Sequence, residues 1–330
     1  MLRSFCYRAL AACTGLASVS SLFAGTIRDD VPEQTYIDFG QNHPFSDAIA
    51  ILETSRPDGN FASTATLISP TQVLTAAHPF LTLNDDFEII GQASAAQVTF
   101  GVDNVNDFSG AFSRFVSAVD LLFEAVPLGA GSRVAVDLAI ITLAEPVFGI
   151  DPAPLIFGTL PSLPAGSAFV TQNVGFGQFG DGVNGVTGGF GVKRGGRNLA
   201  FEVPGFDNFL FAVHDDPADN PDPSVDVPSL ADEYTPLPGD SGSGLWLQDD
   251  SGEPLGIVGV TSFGFTTDEG AEVGEYSTTV GYSLTGPFVT LNDGGDLELA
   301  IPEPSMVALP FGLMAGVFVI CRSRRLRRQA

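Results

Sequence analysis

The stretch 236–246, PLPGDSGSGLW, sets Ser241 among glycines, either as a nucleophile on a tight turn or as a plain glycine-rich connection between two strands. A serine hydroxyl attacks a carbonyl only when a neighbouring base takes its proton and a third group orients that base. The chain has three histidines, His43, His78 and His214. His43 lies in the polar stretch QNHPF and His214 opens an acidic, proline-rich run, so both are expected at the surface. His78 ends SPTQVLTAAH, a β-branched and apolar run closing in small residues that let backbone pass close behind an imidazole. Asp137 is an isolated carboxylate inside the apolar run RVAVDLAIITL. A carboxylate buried without a partner is expensive, and a buried one acts strongly on an imidazole, so His78 is its expected partner.

The elements that must position these residues read as short strands. No sustained 3.6-residue apolar periodicity runs through the body. β-rich runs at Ala62–Ile68, Gln72–Ala76, Ala96–Phe100, Val134–Leu143, Phe169–Val174 and Gly256–Ser262 are bounded by Gly, Pro, Asn and Asp, which predicts an all-β sandwich or barrel. The glycine-rich 175–191 and the acidic 214–229 read as long loops. The aspartates of the second fit no calcium-loop spacing, and neither a metal nor another cofactor is expected. A nucleophile elbow is excluded, because Ser243 stands where Gly-x-Ser-x-Gly requires its second glycine.

Together LTAAH, DLAIITL and GDSG resemble the trypsin-like (chymotrypsin-fold) serine proteases in type, order and separation. Asn173-Val174-Gly175-Phe176-Gly177, Thr261-Ser262-Phe263-Gly264 and Gly274-Glu275-Tyr276-Ser277 resemble further elements of that family, and the likeness spans roughly residues 45–285. It implies two Greek-key six-stranded β-barrels, over 25–155 and 156–290, with the active site between them. It further implies a serine-type endopeptidase in which Ser241 attacks, His78 is the base and Asp137 orients it. The N–H groups of Gly239 and Ser241 would form the oxyanion hole. Ser262 would contact Asp137. Thr235, Ser262, Phe263, Gly264 and Gly274 would bind a protein or peptide substrate. A catalytically silent binding or matrix module on the same fold is the alternative.

Four departures qualify the likeness. Pro79 follows His78 where the family usually has a cysteine. Ser243-Gly244 replaces Gly-Pro. Thr235, at the floor of the specificity pocket, offers no carboxylate to a basic P1 side chain, so an uncharged or apolar P1 residue is expected, with Asp232 and Glu233 close enough in sequence to intrude. In many relatives Asp240 pairs with a chain end released before Ile-Val-Gly-Gly. That sequence is missing, and Tyr36-Ile37-Asp38-Phe39-Gly40, at the matching distance before His78, does not read as a processing site.

Composition fits an exported, turn-rich protein: 44% hydrophobic, 16% charged, 38 Gly and 23 Pro. Of 14 Lys and Arg, seven lie at the ends (Arg3, Arg8, Arg322, Arg324, Arg325, Arg327 and Arg328), while 39 Asp and Glu lie almost wholly in the body. Such a body repels phosphates, which excludes nucleic acid as a partner. Cys6, Cys13 and Cys321 are all terminal, so the body has no disulfide, Cys-based zinc site or cysteine nucleophile. Arg3 and Arg8, an apolar run from Ala9 to Phe23, and Ala24 at the exit read as a signal peptide over 1–24, cut after Ala24. At the other end a linker (291–300) leads to Pro302-Glu303-Pro304, an apolar run (305–321) and an arginine cluster. These resemble the PEP-CTERM sorting tail of Gram-negative bacteria. That implies a transmembrane helix at 305–321, an exosortase-type partner, at least transient membrane contact, and delivery to the cell surface or extracellular matrix.

Overall fold

The structure, a computed structural model, describes residues 25–84, 86–129, 132–161, 164, 167–219, 229–266, 272–292 and 296–299. In chain order the strands are β1 Thr26–Ile27, β2 Ile49–Arg56, β3 Gly59–Ser69, β4 Gln72–Thr75, β5 Leu81–Leu83, β6 Ile89–Gln92, β7 Ala95–Phe100, β8 Phe112–Gly129 and β9 Ser132–Leu143. There follow β10 Phe169–Gly175, β11 Phe179–Asp181, β12 Gly185–Gly188, β13 Arg194–Ala200, β14 Phe209–Val213, β15 Tyr234–Thr235, β16 Gly244–Gln248, β17 Pro254–Thr266, β18 Thr278–Leu284, β19 Val289–Leu291 and β20 Leu297–Leu299. Each strand expected from the sequence falls within one of these to within a residue at its ends.

The first half is a closed six-stranded barrel in the order β2-β3-β4-β9-β8-β7. The second is a six-stranded sheet in the order β13-β10-β16-β17-β18-β14. Among the described residues its edges meet only just beyond β13, where Phe201 and Phe211 exchange backbone hydrogen bonds of 2.8 and 3.0 Å. Against the two closed barrels expected, the second is therefore a sheet fastened at one bridge.

β9 shows why its sequence reads as almost continuously apolar. Successive side chains of a strand point to opposite faces. Ala139, Ile141 and Leu143 fill the first barrel with Leu52, Leu67, Val73 and Val98. Val134, Val136, Leu138 and Ile140 pack instead in a cluster that contains Trp246, Ile257 and Val260 of the second sheet. Both faces are buried, so neither can be polar, and Asp137 is the exception between them.

Two expectations are corrected. Glu33–Asn42 forms a helix, α1, although its apolar residues make no continuous stripe. It is held by packing: Tyr36 is buried, and Gly40 lies so close to β13 that a Cβ would sit 2.7 Å from the Arg194 carbonyl carbon. The expected linker 291–300 contributes β20, which pairs with β19, and Leu297 exchanges hydrogen bonds with the buried Gln72 side chain. No helix among the described residues is long and apolar enough to cross a membrane. The signal segment, the apolar run 305–321 and the sorting motif all lie outside the described residues.

Candidate active site

Register places His78 and Asp137 together. β4 and β9 pair antiparallel with Thr75 opposite Ala139, so two residues further along Ala77 faces Asp137. There the ladder gives way to the side chain. Asp137 is 1% exposed, and its Oδ1 accepts the N–H groups of Ala77 (2.6 Å) and His78 (2.8 Å). Its Oδ2 takes His78 Nδ1 at 2.6 Å and the Ser262 hydroxyl at 2.9 Å. A carboxylate can only accept, so Nδ1 carries the imidazole proton and Nε2 is left with its lone pair, the form a base requires. Ser262 reaches Asp137 because the register of β17 on β18 shifts between Thr261 and Phe263, re-aiming the residue between them. The Ser283 hydroxyl accepts the Asp137 N–H at 3.0 Å, a support that no local sequence pattern signals across 146 residues.

The Ser241 turn is docked on the first barrel. Thr64, in β3, donates its N–H to the Ser241 carbonyl (3.0 Å) and its hydroxyl to the Gly239 carbonyl (2.9 Å). Gly242, at φ +82°, approaches β4 so closely that a Cβ would meet Thr75 Oγ1 at 2.0 Å. Its N–H donates to Thr261 O at 2.9 Å. The residue after Thr261 bonds Asp137, and the residues after Thr75 lead to His78. Ser241, 4% exposed, is thus fastened between the two strands that hold the other two groups. Among the described residues no hydrogen bond joins Ser241 Oγ to the His78 ring. Contacts of this kind commonly tighten only when substrate is bound. Nor does any acceptor among the described residues bind the N–H of Gly239 or of Ser241. Gly239 stands at φ +103°, a backbone that L side chains rarely adopt. Ser243, the departure after the serine, donates to Asn173 Oδ1 (3.0 Å) and lies 2.8 Å from Thr261 Oγ1, so it ties the turn to β10 and β17.

The expected specificity residues lie at separate places in the second sheet and beside it. Thr235 is fully buried and its hydroxyl accepts Asn198 Nδ2 at 2.9 Å. Asp232 pairs with Arg197 at 2.7 Å, and Glu233 accepts the N–H of Asp215 (2.6 Å) and lies 3.5 Å from His214 Nδ1. Both acids are therefore committed elsewhere. A Cβ on Gly274 would lie 3.2 Å from Leu237 Cδ2, which puts Gly274 against the segment between Thr235 and Ser241. Gly264 pairs with Val280, and the Phe263 ring rests over Gly281 and edge-on to Phe209 and Phe211. Phe190 is an addition the sequence did not announce: a Cβ on Gly239 would meet its ring at 2.5 Å.

Two histidines expected at the surface are buried. His214 continues β14, exchanging backbone hydrogen bonds with Ser277 and Thr278, and stacks on Tyr276 at 4.8 Å. His43 follows α1 directly, and its ring lies 4.8 Å from that of Trp246. Burial lowers the His43 pKa to about 4. A folded value below the unfolded one, roughly 6.5, means that stability is full above 6.5 and is lost as pH falls toward 4. Between pH 7 and pH 5 urea unfolding should show a loss of about 2 kcal/mol from this group. His43→Phe, which keeps the ring and removes the titration, should remove most of that slope.

No protein-family model matches the sequence, and no curated protein does. Among solved structures the chain is similar to the HL collagenase, at 18% identity, with 73% of this chain and 89% of that one covered and a TM-score of 0.47. It is also similar to a mutant of human heparin-binding protein (CAP37), at 14% identity, with 75% and 88% covered and a TM-score of 0.49. Neither likeness bears on chemistry, which rests on the side chains described above.

Proposed function

We propose that the chain is an exported serine-type endopeptidase that hydrolyses peptide bonds through an acyl-enzyme intermediate. The observation that carries this reading is the fourfold hold on Asp137, which fixes the His78 ring and its tautomer beside the docked Ser241 turn. Ser241 Oγ attacks the scissile carbonyl while His78 Nε2 takes its proton and passes it to the leaving amine. Water, deprotonated by the same nitrogen, then releases the acyl group. Asp137 holds the ring and stabilises the imidazolium that forms. The free N–H groups of Gly239 and Ser241 receive the oxyanion, a contribution of roughly 3 kcal/mol per donor where water is excluded. A fluorophosphonate probe should label Ser241 in the wild type and nothing in Ser241→Ala. An unlabelled wild type, or equal labelling of the two, would favour the silent binding or matrix module.

The neutral floor at Thr235, with Asp232 and Glu233 paired elsewhere, supports an uncharged P1 residue. Burying an arginine there without a counter-charge should lower kcat/KM by at least about 100-fold relative to leucine or phenylalanine. A peptide library read by mass spectrometry measures that ratio. We assign delivery to the export signal at 1–24 and to the C-terminal tail, where an exosortase-type enzyme acts. The expected location is the cell surface or extracellular matrix.

A further inference from the structure

An N–H group that receives an oxyanion belongs to a peptide unit, so its aim depends on what holds the carbonyls around it. Every carbonyl from Leu237 to Ser241 is held. Leu237 O accepts the Asp240 N–H (3.1 Å), Pro238 O the Gln178 N–H (2.9 Å), Asp240 O the Ser243 N–H (2.7 Å) and Ser241 O the Thr64 N–H (3.0 Å). Those four bonds run backbone to backbone. The fifth comes from a side chain, the Thr64 hydroxyl, which donates to Gly239 O at 2.9 Å.

Gly239 is where such a hold has most effect. At φ +103° and without a Cβ, it rotates between its two peptide units more freely than a residue with a side chain. Gln178 holds the Pro238–Gly239 unit, which carries the N–H, and Thr64 holds the Gly239–Asp240 unit. The Asp240 carboxylate is anchored separately, on the Gly177 N–H (2.9 Å) and the Tyr234 hydroxyl (2.8 Å). Thr64 is itself well fixed. It is fully buried in β3 opposite Ile51, and its carbonyl accepts the Thr75 hydroxyl at 2.8 Å. A hydroxyl has one proton to give, and here Gly239 O takes it, while the oxygen accepts the Phe176 N–H at 3.2 Å. A donor that also accepts is polarised into a stronger one. One residue of the first barrel thus holds both flanking carbonyls, that of Gly239 by its hydroxyl and that of Ser241 by its N–H.

We propose that Thr64 is a positioning residue of the active site, whose hydroxyl fixes the Gly239–Asp240 peptide unit and with it the aim of the Gly239 N–H at the oxyanion. The proposal rests on the serine-endopeptidase reading and adds a residue that neither touches substrate nor moves a proton. When Ser241 Oγ adds to the scissile carbonyl carbon, its proton passes to His78 Nε2 and the carbonyl π pair moves onto oxygen. Thr64 matters from the moment that oxygen carries charge, so its removal slows the reaction without weakening the binding of uncharged substrate.

The test compares Thr64→Val, which keeps the branched shape and the backbone N–H but lacks the hydroxyl, with Thr64→Ser, which restores it. Each is made in the exported full chain and assayed on a peptide anilide with phenylalanine at P1. Thr64→Val should lower kcat at least ~10-fold with KM changed less than about twofold, and Thr64→Ser should recover kcat to within about threefold of wild type. A trifluoromethyl ketone of the same peptide forms the charged adduct on Ser241, and it should bind Thr64→Val more weakly by the factor lost in kcat. The corresponding peptide acid, which forms no adduct, should bind wild type and variant alike. Wild-type kcat in Thr64→Val overturns the proposal. So does a Thr64→Ser variant as slow as Thr64→Val, or a peptide acid whose binding weakens as the ketone's does, since the cleft as a whole would then have moved. If Thr64→Val does not fold, Thr64→Ala, which puts no methyl where the hydroxyl was, carries the same comparison. A wild type that neither cleaves the anilide nor takes the fluorophosphonate probe overturns the endopeptidase reading and this role with it. An active wild type with an unaffected Thr64→Val overturns this role alone.

Discussion

Replacing Asp137 with asparagine is expected to lower kcat by about 10⁴-fold while leaving the Ser241 turn in place. Four donors converge on the carboxylate: the N–H groups of Ala77 and His78 on one oxygen, His78 Nδ1 and the Ser262 hydroxyl on the other. An asparagine side chain offers one acceptor oxygen and one NH2. If its oxygen stays with the two backbone N–H groups, its NH2 faces His78 Nδ1. The imidazole must then move its proton to Nε2, where it can no longer accept one from Ser241. The opposite orientation keeps the tautomer but leaves two buried N–H groups facing another donor, which costs about 1–3 kcal/mol each. Steady-state kinetics together with urea unfolding separate the two outcomes. A variant retaining more than a tenth of wild-type kcat would remove Asp137 from the mechanism.

Gly242→Ala is expected to destabilise the protein by about 4 kcal/mol, the range reached when a side chain is forced into an occupied backbone space. Its Cβ would stand 2.0 Å from Thr75 Oγ1, 2.6 Å from Thr64 O and 2.7 Å from Ala76 N, at a φ of +82°. Two of those atoms are backbone of the first barrel and cannot swing aside. The turn would have to lift off β3 and β4, breaking the Thr64 N–H to Ser241 O bond that seats the Ser241 turn. Thermal unfolding should therefore fall together with fluorophosphonate labelling. By contrast, Gly252 stands at φ +94° with nothing within 4 Å of the place a Cβ would take, and it should tolerate alanine at the cost of backbone strain alone. Comparable losses in both variants would mean that strain, and not the contact of the turn with the first barrel, governs the first.

The strands and the candidate site residues were legible because each leaves a short-range mark. β9 is apolar on both faces, so a single aspartate within it stands out, and SPTQVLTAAH and GDSG are continuous in the chain. The helix α1 was not legible, since its stability comes from Tyr36 and Gly40 packing on residues far along the chain and not from its own periodicity. The burial of His43 and His214 leaves no mark in the sequence for the same reason. Polar neighbours in sequence suggested exposure, but Trp246 and Tyr276, contributed from distant segments, cover the two rings.

The sequence alone determined that the body is built of strands without cysteines, and which serine, histidine and aspartate are the candidates for acyl-transfer chemistry. Those properties follow from side-chain type and from the two-residue period of a strand, which a linear reading contains. The tertiary structure decided how they are joined: the second sheet fastened at one bridge, Ser283 behind Asp137, Asn198 beneath Thr235, and the Thr64 hydroxyl at the Gly239 carbonyl. Each of these contacts links residues far apart in the chain. Their partners are selected by strand register and by the need to satisfy every buried polar group, which only the assembled barrel and sheet impose.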